Sequence, residues 1–332
     1  MVTCKLSIII PVYNVEPYIG ETLASVFETT AMAGEFEVIV VNDGTKDGSM
    51  RVVRRYSDKP NIIILEQDNQ GLSAARMKGL SMARGEYVWF VDSDDRLVKD
   101  GVGIVMRLLK EMNGTDVLMF PIHWENQDIQ EYRLDYNIGD ETVVKGMSVI
   151  RDLHLPVWAA PRFVFRRSLT DNPWLFFPKS LIHEDEYFGP VLMCLSNRVW
   201  VKSEPVYNYL QRTGSIITTR SIRSAYDMVS VHKLLIRFMK KALDSADEGW
   251  FRHYCFNRLF LVYRHFKDSL GTSVYQRFSR RNGFYVWRQW SIIHPEASLK
   301  KRIGRLLFFM MPGLHKRLFE TEGRSDFEVE GS

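Results

Sequence analysis

Glu86-Tyr-Val-Trp-Phe-Val-Asp-Ser-Asp-Asp95 carries the reading of this chain. Tyr87–Val91 is a short apolar run of the kind that forms a buried strand. Three carboxylates follow it within four positions, Asp92, Asp94 and Asp95. Like charges that close repel one another. Either the strand ends in water, or a positive species belongs among them.

The residues before this stretch alternate strand and helix signals. Leu6–Tyr13, Phe36–Val41 and Asn61–Leu65 are β-branched apolar runs; helical patterns fall at Tyr18–Phe27, Ser49–Tyr56 and Ser73–Ala83. Continuous apolar strands that alternate with helices predict a mostly parallel, Rossmann-like α/β sheet covered by helices on both faces. In such sheets ligands bind beyond the carboxyl ends of the strands. Asn14, Asp43, Glu66 and Asp92 all fall just after strand ends, so a nucleotide-type cleft is expected there.

Residues 115–210 are less regular and rich in aromatics, with strands expected at Asp116–Phe120 and Arg198–Val201. Beyond Ser221 the strand signals stop and apolar residues recur at helical spacing. The expected division is a catalytic domain over 1–220, with a nucleotide half of about 1–100 and an acceptor half of about 101–220. A basic helical region over 221–320 and a disordered acidic tail over 321–332 complete it.

The chain has 332 residues, a formal charge of +4 and three widely spaced cysteines, Cys4, Cys194 and Cys255. No disulfide framework or CxxC pair is present, which points to a reducing compartment. No signal peptide and no run of the ~18 apolar residues needed to span a bilayer is recognised, so a cytoplasmic location is expected. The small net charge hides an asymmetry. Arg220–Glu320 holds 20 Lys and Arg against 7 Asp and Glu, so a basic region follows an acidic one.

The residues at the strand ends leave alternatives open. Asp43, before Gly44, is either a turn residue or an acceptor for a base or ribose hydroxyl. Tyr13 either stacks on a base or fills the sheet edge. In Asp92–Asp95 the carboxylates suit Mg²⁺ or Mn²⁺, which take one or two carboxylates plus substrate phosphates. Asp94 or Asp95 could instead cap a helix running through Val102–Met112.

Four motifs occur in order over about 90 residues: Ser7–Asn14, Val41–Asp47, Asn69–Arg76 with Gly79, and Gly85 followed by Val91–Asp95. Together they closely resemble the family 2 glycosyltransferases, inverting enzymes of the GT-A fold that use nucleotide-diphosphate sugars. The resemblance implies that Pro11, Tyr13 and Asp43 hold the nucleoside and that Arg76 lies near the diphosphate. It also implies that Asp94 ligates the cation, with Asp92 at the metal or ribose. One departure is Asn42, where the family more often has an acid. Ile182-His-Glu-Asp-Glu-Tyr-Phe188 resembles the family's acceptor-side motif, which makes Asp185 the general base, Glu184 its alternative and His183 a neighbour of the metal or diphosphate. Tyr207–Ser215 resembles the segment that closes over the donor, with Arg212 as a contact to the leaving group.

The resemblance thus implies a metal-assisted inverting transfer from a nucleotide sugar, with UDP as the expected nucleotide, to a hydroxyl of a growing polysaccharide or lipid-linked glycan. The rivals are a nucleotidyltransferase and a non-catalytic sugar-nucleotide-binding or membrane scaffold protein. The first would want a Gly-rich basic loop after the first strand, and Pro-Val-Tyr-Asn-Val-Glu is not one. Residues 300–319 join basic and apolar residues as an interfacial helix does, which suggests peripheral contact with an anionic membrane. No nucleic-acid recognition motif accompanies the charge.

Overall fold

The computed structural model describes residues 4–112, 114–126, 131–139, 141–211, 222–269 and 272–310. The chain divides into two compact units, Met1–Thr218 and Thr219–Ser332.

The first unit is α/β. Its elements begin β1 (Leu6–Val12), α1 (Ile19–Phe27), β2 (Phe36–Asp43), α2 (Ser49–Val53), β3 (Ile62–Gln67), α3 (Leu72–Met82), β4 (Tyr87–Phe90), β5 (Arg96–Leu97) and α4 (Gly101–Glu111). They continue with β6 (Val117–Met119), β7 (Ile122–Asn126), β8 (Glu131–Leu134), β9 (Thr142–Val144), α5 (Gly146–Arg151), β10 (Phe163–Arg166), α6 (Asp185–Leu195), β11 (Val199–Val201) and β12 (Tyr207–Gln211). The main sheet has the order β3-β2-β1-β4-β10-β6-β11-β9.

Every residue of β1, β2 and β4 is buried. This is why these strands read as unbroken apolar runs: helices cover both faces of the sheet. β1 pairs in parallel with β2 and β4. Pro11 is tolerated inside β1 because pairing with β4 stops at Ile9, so its missing N–H removes no ladder bond on that side. α3 lies very close to the sheet. A Cβ built on Gly79 would stand 2.3 Å from Ile9 Cγ2, so only glycine permits this approach.

Two features lie beyond local reading. β10 inserts antiparallel between β4 and β6, although its four residues carry no distinctive periodicity. A second sheet, β5-β12-β7-β8, joins segments that are more than a hundred residues apart. In it Tyr209 of β12 stands beside Trp124 of β7, and Tyr207 beside Leu97 of β5.

The second unit is helical: α7 (Ile222–Ala242), α8 (Ser245–Ser269), α9 (Thr272–Ile293) and α10 (Leu299–Met310). Its core includes Val229, Phe256, Phe278, Trp290, Phe308 and Phe309. Phe308 and Phe309 belong to the segment expected to lie in a membrane. Here they are interior, and the Ser279 hydroxyl of α9 donates to the Phe309 carbonyl. Residues 311–319 and the tail 321–332 lie outside the described residues. Among the described residues no helix is long and apolar enough to cross a membrane.

Candidate active site

The three carboxylates that follow β4 have separate surroundings. Asp95 is buried, and it accepts hydrogen bonds from the Tyr207 hydroxyl at 2.5 Å and the Leu210 N–H at 2.8 Å. Burial, with Asp94 and Asp92 close by, pushes its carboxyl well above the ordinary range. The expectation of a helix cap is corrected. Asp100, not Asp94 or Asp95, precedes α4, and its carboxylate accepts from Thr30 and from the Arg107 side chain but caps no helix N–H. Asp95 instead fastens β12 to the end of β4.

Asp92 accepts from Arg76 Nη2 at 2.6 Å through Oδ1, while its backbone N–H donates to the Tyr207 hydroxyl at 3.2 Å. Its pKa is raised: burial outweighs the pull of Arg76, and Asp94 adds to the rise. Its side chain keeps 27% of its surface exposed, and it lines the cavity described below. Asp94 is half-buried.

Arg76, in the first half of α3, is buried, and both of its amino groups are paired while Nε is not. Its other amino group, Nη1, donates to Glu184 Oε1 at 2.6 Å. Its guanidinium lies 5.0 Å from the Phe177 ring centroid and 6.0 Å from that of Phe90. Burial opposes the charge, but Asp92 and Glu184 hold the guanidinium pKa above its ordinary value. The structure gives Arg76 a joining role, and the same side chain also lines the cavity described below. Arg76 ties the end of β4 to the start of α6.

Glu184 is buried and faces Arg76. Burial raises its carboxyl, Arg76 opposes the rise and Asp185 adds to it. Asp185, not Glu184, lines the cavity described below. Asp185 opens α6; its Oδ2 accepts the Ala159 N–H at 2.9 Å and its Oδ1 the Glu186 N–H at 3.0 Å. Acidic residues suit a helix start, so the local fold and a chemical role agree at this position. Ala159 itself has a φ of +70°, a conformation that strains a residue with a Cβ.

A cavity of about 80 Å³ brings Arg76, Asp92 and Asp185 together. Trp124, Trp158, Tyr207 and Tyr209 line it on the aromatic side. Trp124 packs 4.4 Å from Tyr209 and 5.9 Å from Trp158, centroid to centroid.

On the nucleoside side, Tyr13 is 43% exposed just past the end of β1, free to meet a flat ligand, whereas Pro11 is buried within the strand. Asp43 makes the contacts of the turn reading, one of the two that the sequence left open. Its Oδ1 accepts from Gln67 Nε2 and the Gln70 N–H, and its Oδ2 from the Gly71 N–H. It holds the 69–71 turn that leads into α3. Asn42 shows why an amide works where an acid is more usual: it donates to Glu66 and accepts the Thr45 N–H.

Among the described residues no three His, Cys, Asp or Glu side chains gather as a metal cage. A Mg²⁺ or Mn²⁺ held mainly by diphosphate needs only one or two carboxylates. Asp92 and Asp94 are carboxylates of that kind, close enough together that Asp94 raises the Asp92 pKa. His183, half-buried with a φ of +65°, is outside any such group. Arg212 lies outside the described residues.

Sequence reasoning did not single out Trp124, Trp158 or Ala159 as parts of the site, and it reached Tyr207 only as the first residue of the segment that resembles the closing loop. The aromatic richness of 115–210 was the one signal available. These residues converge only through the second sheet and the turn before β10.

The sequence model of glycosyl transferase family 2 matches residues 7–177. The poly(ribitol-phosphate) beta-N-acetylglucosaminyltransferase TarS of Staphylococcus aureus is 28% identical over 264 residues, covering 76% of this chain and 45% of TarS. The uncharacterized glycosyltransferase EpsJ of Bacillus subtilis is 30% identical over 219 residues, covering 64% of this chain and 62% of EpsJ. The chain thus spans less than two thirds of the length of either relative. Among solved structures, residues 1–349 of S. aureus TarS in complex with UDP-GlcNAc superpose with a TM-score of 0.77 at 22% identity, covering 94% of this chain and 90% of that one. The mannosyltransferase PcManGT of Pyrobaculum calidifontis, in complex with GDP-Man and Mn²⁺, gives 0.54 at 15% identity, with 96% and 88% covered. Both likenesses concern the fold.

Proposed function

Since the chain belongs to glycosyl transferase family 2, we propose that it transfers a sugar, with inversion, from a UDP-linked donor to a hydroxyl of a cell-surface polysaccharide or lipid-linked glycan. The observation that carries this reading is the cavity in which Asp185 and Asp92 face one space from different elements. One carboxylate serves the acceptor side, and the other belongs to the group that receives the donor. UDP is favoured by the likeness to a structure that binds UDP-GlcNAc.

In this reading Asp185 takes the proton of the acceptor hydroxyl as its oxygen attacks the anomeric carbon. The bond between that carbon and the diphosphate oxygen breaks, and its electron pair leaves with the nucleoside diphosphate. A divalent cation bound through Asp94 and Asp92 would supply positive charge to the departing diphosphate. Arg76 keeps Asp92 and Glu184 in register, and Glu184 is the residue next to the base. Tyr13 would lie against the nucleoside. A peripheral contact with an anionic membrane finds its support on the outer side of α10, where Leu299 and Ile303 are exposed beside Lys300 and Lys301.

Calorimetry with UDP and GDP, with and without Mn²⁺, followed by a screen of sugar nucleotides for hydrolysis, tests the reading. Metal-dependent binding of UDP and slow hydrolysis of one UDP-sugar are expected. Absence of metal-dependent binding of either nucleotide would overturn it.

A further inference from the structure

We infer that the outward stripe of α9, with the first turn of α10, is a docking face for an anionic lipid bilayer, held by arginines and entered by Phe284, Ile292, Leu299 and Ile303. The inference rests on the proposed function for its purpose, since a lipid-linked acceptor lies at such a surface. It moves the contact away from the 300–319 segment, whose Phe308 and Phe309 are interior, to a helix that the sequence had not singled out.

Three observations support it. The first is charge. Residues 272–310 hold eight Lys and Arg against one acid, Glu296, and neither α9 nor α10 contains Asp or Glu. Arg277, Arg280, Arg281 and Arg288 all lie on the exposed side of α9. Arg277 and Arg281 stand one turn apart, a like-charge spacing that weakens a helix in water. On α7 the same spacing is used the opposite way, with Arg223 3.6 Å from Asp227. Arg277, Arg280 and Arg288 meet no carboxylate among the described residues. An anionic lipid surface supplies the missing counter-charge, as it does for basic clusters beside membranes.

The second is where the apolar residues stand. α9 already has an inner stripe, Tyr275, Phe278, Val286 and Trp290, buried in the core of the helical unit. Phe284 and Ile292 are surplus to that stripe and lie on the arginine side, 55% and 47% exposed. Each helical residue turns the chain by about 100°, so positions 284, 288 and 292 fall within a strip about 80° wide. Arg288 is thus flanked by both apolar side chains. Leu299 and Ile303, 74% and 47% exposed, repeat the arrangement on α10 beside Lys300. Large apolar side chains among Lys and Arg, on helices that cannot cross a bilayer, are the make-up of an interfacial helix. Duplex nucleic acid would use the cations but not these four side chains.

The third is that α9 and α10 are fastened as one hairpin. The Trp287 indole N–H donates to the Arg302 carbonyl at 3.0 Å, and the Trp287 ring packs against Phe284 with centroids 5.5 Å apart. Arg302 donates from Nε to the Ala297 carbonyl at 3.0 Å and from Nη2 to the Pro295 carbonyl at 2.5 Å, which closes the turn between the helices. At the other end a Cβ on Gly283 would stand 2.3 Å from the Phe309 carbonyl oxygen, so glycine lets α10 lie against α9. The apolar pairs of both helices therefore belong to one preorganised body, and little freedom is lost when it docks.

The test uses the full chain without donor or acceptor. Co-sedimentation measures binding to vesicles of phosphatidylcholine alone and of phosphatidylcholine with about one-third phosphatidylglycerol. Binding to the anionic vesicles alone is expected, falling as salt is raised. Phe284→Gln combined with Leu299→Gln should weaken it about tenfold, and so should Arg277→Gln combined with Arg280→Gln, with UDP affinity within about twofold of the parent in both. All four positions are exposed, and if one pair fails to fold the other decides. No binding to anionic vesicles, equal binding to neutral ones, or parental binding by the arginine pair would overturn the inference. Parental binding by the apolar pair would also overturn it and reassign the face to a polyanion such as nucleic acid. Failure of the parent chain to bind UDP would instead overturn the proposed function, so the two failures are distinct.

Discussion

Arg76 Nη1 lies 2.6 Å from Glu184 Oε1, an ion pair that closes across 108 residues of sequence. Its second arm reaches Asp92 at the same distance, so one buried cation holds two carboxylates from opposite sides of the site. A charge buried with its partners contributes little net stability, but removing one member leaves the others uncompensated.

Arg76→Ala should therefore destabilise the first unit by about 3–5 kcal/mol. Arg76→Lys keeps the charge but loses the planar fork that spans both carboxylates. Chemical denaturation should find Arg76→Lys folded, while initial-rate assays find its turnover well below the parent. Equal turnover would mean that the bridge does not position the site.

Asp185→Asn retains the shape of the side chain and removes its ability to accept a proton. Turnover should fall by about 10²–10⁴ while UDP affinity changes little. Steady-state kinetics and calorimetry read the two quantities separately. Near-normal turnover would exclude Asp185 as the base.

Asp94→Asn should weaken UDP binding in the presence of Mn²⁺ and leave the weaker metal-free binding nearly unchanged. Titration of Mn²⁺ at fixed UDP tests this directly. A variant with the parent's Mn²⁺ dependence would assign the cation to other groups.

Tyr207→Phe removes one donor from buried Asp95 and the acceptor of the Asp92 N–H. A cost of about 1–3 kcal/mol is expected. The pH dependence has a definite sign. The pKa of Asp95 is raised in the fold, chiefly by burial, so its neutral form is favoured there. That contribution is complete below the unfolded pKa and is lost as pH rises through the folded one. Asp95→Asn should accordingly reduce the loss of stability on raising pH, as read from melting temperatures across a pH series.

His232 gives the opposite slope in the helical unit. Burial, then Arg252 and Lys233, lower its pKa from 6.5 to about 3. Its Nδ1 meets the Tyr285 hydroxyl at 2.8 Å. The neutral form belongs to the fold, so stability is full above pH 6.5 and falls as pH drops toward 3, by up to about 1.4 kcal/mol per pH unit. His232→Phe, which cannot protonate, should flatten that acid limb in thermal melts.

The sequence by itself determined the parallel core and the positions of its strand ends. β1, β2, β3 and β4 are short runs bounded by turn residues, and in β1, β2 and β4 burial on both faces leaves a one-dimensional signature that needs no partner to be read. The same locality placed Asp92, Asp94 and Asp95 at one strand end, and put Asp185 at a helix start. It could not tell which carboxylate does what, because that depends on what each one meets. Asp95 looked like a cap until β12 supplied Tyr207 and Leu210, and Arg76 looked like an open cation until Glu184 closed on it. The aromatic lining of the cavity is a further step removed. Trp124, Trp158 and Tyr209 come from segments whose pairing is non-local, so no spacing in the chain records their convergence. Strand runs and helix faces follow from local periodicity; the charges and rings of the site gain their meaning only from neighbours that the tertiary fold delivers.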